Sequence, residues 1–161
     1  MRFSIILAVL VVGYASAQQF DRVEYLYRIS IDDAQPRILP GILTCNLAKK
    51  SVRFDSTLAD GKHSFLGKWH EAPRANFVID AGMVASAVYE RTARPRYGPG
   101  IVIAWPLLLT KEKKHFLTIQ YATGTGEAKY AIFRLHKENY QEALAAIEAA
   151  LGAKIQRTEE R

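Results

Sequence analysis

The sequence predicts a mainly β protein with one C-terminal α-helix, arranged as an antiparallel β-sandwich or barrel that the helix caps. Three observations carry this reading. Tyr140, Leu144, Ile147 and Leu151 fall at i, i+4, i+7 and i+11, so they share one face of a helix. Before them, Ile101 to His136 reads as three strands, two of them joined by the turn Thr123-Gly124-Thr125-Gly126-Glu127. Far upstream, Val23, Tyr25, Tyr27, Ile29 and Ile31 alternate with Glu24, Leu26, Arg28, Ser30 and Asp32, the period-2 pattern of a strand.

The start of the chain stands apart from this fold. Arg2 supplies a positive residue, Ile5 to Val12 is unbroken apolar sequence, and Ala15-Ser16-Ala17 has the form of a cleavage site. Residues 1–17 are therefore expected to be a signal peptide, cleaved after Ala17, with the product exported to a periplasm or secreted. The alternative is an uncleaved membrane anchor, for which the run is short, since a span needs about 20 apolar residues. No cysteine stands directly after the run or at its cleavage site, so a lipoprotein anchor is not expected. The other 144 residues (161 − 17) suffice for one soluble domain with a core, not for two.

Charge and cysteine usage narrow the class further. Losing Arg2 takes the net charge from +6 to +5, spread along the chain. That predicts weak affinity for anionic surfaces and no nucleic-acid partner. Cys45 is the single cysteine, so no disulfide forms within the chain and the core must hold the fold. It alternates with Leu43 and Leu47, as an inward-facing strand residue would.

The elements follow in order. Pro36 and its acidic neighbours end the first strand, expected over 22–31. Ile42–Leu47 and Ser51–Asp55 form a hairpin around Ala48-Lys49-Lys50. Residues 56–75 read as a long polar loop with at most a short strand near Phe65. Phe77–Ile79 is a short strand, broken near Ala81-Gly82 and resumed over Val84–Arg91. Residues 94–100 are a Pro/Gly loop, and Ile101–Thr110 is an apolar strand that Pro106 assigns to an edge or a bulge. His115–Tyr121 and Lys129–His136 are the last strands. Asn139 with Glu142 suggests a capping box, Gly152 a C-terminal stop, and 153–161 a charged, frayed tail.

Several of these segments resemble the bacterial pleckstrin-homology-like (PH-like) domains. Gly41-Ile42-Leu43-Thr44 through Val52-Arg53-Phe54 is similar to their opening hairpin, and Lys113-Lys114-His115-Phe116-Leu117-Thr118-Ile119 with Tyr121 to their basic turn and penultimate strand. Tyr130-Ala131-Ile132-Phe133-Arg134-Leu135, then Ala143-Leu144 and Gly152, resembles the final strand and helix. The resemblance covers 39–152, leaves the strand at 22–31 as an extra, and implies a single PH-like domain over 18–152 that binds rather than catalyses. Lys49, Lys50 and Arg53 lie where phosphoinositide-binding members carry basic residues, but the spacing Lys-Ser-Val-Arg departs from that motif. That ligand is not carried over.

Candidate sites are few. Lys111, Lys113, Lys114 and His115, with Arg94 and Arg96 in a loop, form the densest basic cluster and could contact anionic lipid. A solvated turn whose lysines discourage edge pairing is the plainer reading. Tyr97 and Trp105 are candidates for a partner surface, although Trp105 also suits a core or edge position beside Pro106. Asp80-Ala81-Gly82 after Phe77-Val78-Ile79 faintly resembles an aspartic-protease motif, but Ala81 lacks the needed hydroxyl. His63 and His70 show no zinc spacing with Cys45, and Gly124-x-Gly126 lacks the Lys-Ser/Thr of a phosphate loop. No catalytic residue, metal or cofactor is expected. The sequence points to a binding module for a protein or peptide, with anionic membrane contact as the alternative and hydrolysis at Asp80 as a remote one.

Overall fold

A computed structural model of the chain describes residues 17–27, 37–57, 62–65, 68–71, 75–92, 96–97, 101–102 and 114–158. The first half holds β1 (Gln18–Tyr27), β2 (Arg37–Asn46), β3 (Ser51–Ser56), β4 (Lys62–Phe65), β5 (Lys68–Glu71) and β6 (Asn76–Asp80). A 3-10 turn, Ala81–Met83, leads into β7 (Val84–Thr92), β8 (Arg96–Tyr97) and β9 (Ile101–Val102). Then come β10 (Lys114–Ala122), β11 (Ala128–Leu135), α1 (Tyr140–Leu151) and β12 (Gln156–Thr158). The protein is mainly β with a single C-terminal helix among the described residues, as the sequence predicts.

Eight strands form one sheet in the order β12-β7-β10-β11-β1-β2-β3-β6. Every pairing is antiparallel except that of β12 with β7. This order forces curvature. Six interstrand spacings separate β6 from β7, about 29 Å in a flat sheet. Only Ala81–Met83 joins them, and four steps of chain from Asp80 to Val84 reach at most about 14 Å. The sheet must therefore curl towards a barrel that stays unzipped between β6 and β7. Helix α1 lies against β2, β3 and the 3-10 turn.

The side chains explain the curl. Val23, Leu39, Leu43, Phe54, Ile79, Leu117, Ile119 and Phe133 point to one enclosed face, where Leu144, Ile147 and Leu151 of the helix meet them. Tyr25, Phe54, Phe77 and Phe133 form its aromatic centre, with ring centroids 5.0–6.2 Å apart. The Phe54 ring lies so close over Gly41 that a Cβ there would sit 2.4 Å from its Cζ. Glycine at 41 is thus a packing requirement. Cys45 is buried on this face, as its alternation predicts, and desolvation pushes its thiol up to about 12.

Five expectations need correction. The strand expected at 22–31 begins earlier, at Gln18, and pairs with both β2 and β11 at the centre of the sheet, while 28–31 lie outside the described residues. A bulge between Phe20 and Val23, with Arg22 at φ 56°, places one extra residue on β1, so both apolar residues turn inward and the period-2 pattern breaks. Within the loop expected over 56–75, β4 pairs with β5 as a hairpin. Within the loop expected over 94–100, Arg96–Tyr97 pairs with Ile101–Val102; the rest of the strand expected to Thr110 lies outside the described residues. Asn139 occupies the N-cap of α1 without a side-chain cap bond, so the capping box does not form. Finally, the tail is not wholly frayed: Ile155 is buried and β12 joins the sheet.

The C-terminal stop of the helix does form. Gly152 adopts the left-handed conformation (φ 62°) and its N–H donates to the Glu148 carbonyl at 2.9 Å. The turn over 123–127 also behaves as expected. Gly126 has φ 83° and donates to the Thr123 carbonyl, while Thr123 N–H donates to Glu127.

Candidate binding surfaces

Of the residues singled out from sequence, Lys111, Lys113, Arg94 and Trp105 lie outside the described residues. Arg96 and Tyr97 are placed by backbone alone, in β8, opposite Val102 and Ile101. Lys114 opens β10 opposite Thr92 and is half-buried. His115 is not part of a solvated basic turn. Its position on β10 carries it to the inner face with Leu117 and Ile119, and it is 8% exposed.

The ring of His115 sits in an aromatic stack. Its Nδ1 is hydrogen-bonded to the Tyr89 hydroxyl at 2.7 Å, and Tyr140 at the start of α1 stacks on it with centroids 3.8 Å apart. Desolvation, and then the charge of Arg91, hold the imidazole below its usual pKa. Burial, followed by Tyr140, pushes the Tyr89 phenol up, against smaller opposing effects of Arg91 and Arg157. Both rings are therefore held neutral near pH 7. A neutral, enclosed histidine ties helix to sheet and is ill suited to gripping an anion.

The two ends of the sheet differ. On the outer side of β7, β12 runs parallel, with Gln156 opposite Val88, Arg157 opposite Tyr89 and Thr158 opposite Glu90. All three β12 residues are exposed, so backbone pairing holds them. The segment is fixed in place by Ile155, 2% exposed, whose N–H donates to Glu148 Oε1 at 2.8 Å. At the other end stands β6, paired with β3 on one side and with no strand on the other among the described residues. Val78 in its middle is 48% exposed. The sequence marks Phe77–Ile79 as a strand but gives no sign that it is an edge. Position in the sheet order is a property of long-range pairing, which local periodicity does not encode.

A third surface joins the β2–β3 turn to the 3-10 turn. Lys50 takes the left-handed conformation (φ 49°), Asn46 Oδ1 accepts from Lys49 N–H at 2.9 Å, and Ala81 N–H donates to the Lys50 carbonyl at 2.8 Å. Leu47 and Met83 flank this junction, 45% and 37% exposed, while Lys49 and Lys50 are exposed beside them.

The remaining chemistry is sparse. Asp80 is exposed at the end of β6, opposite Ser51. Backbone pairing sets His63 opposite His70 across the β4–β5 hairpin, a juxtaposition the seven-residue spacing does not reveal. No cluster of three or more metal-ligating side chains occurs among the described residues, and no helix among them is long and apolar enough to cross a membrane. Searched against protein-family models and against curated proteins, the chain matches none.

Proposed function

We propose that the protein is an exported, non-enzymatic, PH-like binding domain that takes an extended peptide segment of a partner along β6. One observation carries the peptide-binding reading: among the described residues β6 ends the sheet with an exposed Val78, while the next strand in the chain, β7, has its outer side covered by β12. An uncovered edge offers a row of N–H and C=O groups to any extended chain. Backbone pairing supplies affinity there, and alternate side chains of the incoming strand supply selectivity. The PH-like part rests on the meander closed by β1 and β11 and capped by α1, with the sequence resemblance. Export rests on the N-terminal pattern alone.

The test is to pan a displayed peptide library against the protein and follow the selected peptides by amide hydrogen exchange. Protection of Asn76–Asp80, lost with Val78→Pro, is the expected result, because proline at an edge cannot donate to an added strand. Peptides that protect other strands, or that bind Val78→Pro equally well, would remove β6 as the site. Turnover of a substrate that Asp80→Asn abolishes would overturn the non-enzymatic reading altogether.

A further inference from the structure

We propose that His63 and His70, set opposite each other on the β4–β5 hairpin, form a two-imidazole site for a divalent transition-metal ion of the copper, nickel or zinc class. The ladder pairs Lys62 with Glu71, His63 with His70, Ser64 with Trp69 and Phe65 with Lys68. Cross-strand partners stand on one face of a sheet, with Cβ positions about 4.5–5.5 Å apart. Two imidazoles sharing one ion can span that distance, since metal–nitrogen bonds run about 2.0–2.1 Å. Lys62 and Glu71, of opposite charge, support the same register from the other face. The seven-residue separation in sequence does not reveal the site; the pairing of β4 with β5 creates it.

The hairpin's place in the fold supplies a second argument. β4 and β5 form a two-stranded sheet of their own, and neither belongs to the eight-stranded sheet. A two-stranded hairpin on its own is marginally stable in water. An ion held between its strands favours the paired state by mass action, because the unpaired segment offers no preformed site. Imidazole suits this class of ion, and with two protein ligands the remaining positions fall to water. The other soft ligands are engaged elsewhere. Cys45 is buried in the core with its thiol pushed up to about 12, so it offers no thiolate. His115 is enclosed and hydrogen-bonded to the Tyr89 hydroxyl. His136 Nδ1 accepts from the Glu138 N–H at 3.4 Å. Among the described residues, His63 and His70 are the one pair of histidines that a strand ladder sets opposite each other.

The experiment uses the chain from Gln18 to Arg161, which keeps every described element, purified without a histidine tag. Zn²⁺, and separately Ni²⁺, are titrated into it by calorimetry at about pH 7.5, where an exposed imidazole is neutral. One saturable site per chain is expected, with slower amide exchange in Lys62–Phe65 and Lys68–Glu71 that a chelator reverses. His63→Gln or His70→Gln should each weaken binding roughly a hundredfold, because the second imidazole acts at a high local concentration. His63→Ser with Ser64→His keeps both histidines and the composition but moves one to the other face, and it should weaken binding as much. His136→Gln should leave the affinity unchanged. Circular dichroism and melting of the ion-free variants should match the parent, since the hairpin lies outside the eight-stranded sheet. No saturable binding, equal binding by the exchanged 63/64 pair, or loss only with His136→Gln would each overturn the proposal.

Discussion

β6 and β7 are consecutive strands, separated by three residues, yet the molecule treats their outer sides in opposite ways. β7 is covered by a segment of its own chain, fixed by one buried isoleucine and a glutamate side chain. β6 has no such cover among the described residues and exposes Val78. Unpaired edges invite association, and proteins usually blunt them. Covering one edge in cis while leaving the neighbouring one uncovered among the described residues is the arrangement that the proposed strand-accepting site requires. The difference teaches that a short tail, often dismissed as frayed, can decide which edge is available.

The largest effect should come from removing the support that β6 stands on. Phe54 is fully buried, meets Phe77 of β6 at 5.7 Å between centroids, and fills the space that Gly41 leaves. Phe54→Ala should cost about 3–5 kcal/mol by urea unfolding. Hydrogen exchange should rise earlier in β3 and β6 than in β7 and β10. A loss under about 1 kcal/mol would mean that this ring is not the centre of the core.

Next comes the fastening of β12. Ile155→Ala should cost about 2 kcal/mol, the low end for a buried isoleucine. Its signature is local. Amides of Gln156–Thr158 and of Val88–Glu90 should lose protection while β6 stays unchanged. Equal deprotection of both edges would show that the tail supports the whole sheet, and the contrast between the edges would fail.

Acidification probes the β7 side through His115, which lies on β10 opposite Arg91. Its folded pKa is lowered by desolvation and by Arg91. The unfolded chain therefore takes up the proton first, near pH 6.5. The resulting stability is fully present above that value and is lost as pH falls from there towards the folded pKa, below which this group causes no further loss. His115→Gln should flatten that part of the stability–pH curve. An unaltered slope would assign the acid sensitivity to other groups.

How much of this was legible beforehand follows from the physics of each signal. The helix face of Leu144 and Ile147, the stop at Gly152 and the inward Cys45 are local patterns, and each appears as expected. The bulge at Phe20–Val23 was not legible, because one inserted residue breaks the very period that reveals a strand. His115 read as basic from its neighbours Lys113 and Lys114, although its place in the alternation with Leu117 and Ile119 already pointed inward. The β6 edge and the hydrogen bond that ties Ala81 to the β2–β3 turn at Lys50 depend on pairings between distant segments, so no window of sequence displays them.

The smallest effect on stability is also the most selective test of the comparison. Val78 sits opposite Arg53 in the β3–β6 ladder with about half its surface in water. Val78→Lys should therefore change unfolding free energy by no more than about 0.5 kcal/mol, as other exposed substitutions do. A lysine in the middle of an edge strand nonetheless opposes the addition of another strand, since the newcomer must bury or displace the charge. Peptide binding along β6 should thus fall sharply while melting and the protection of β12 stay as they were. If binding survived Val78→Lys intact, β6 would be an edge only in the geometric sense, and the exposure of Val78 would be surface left over after the core was filled.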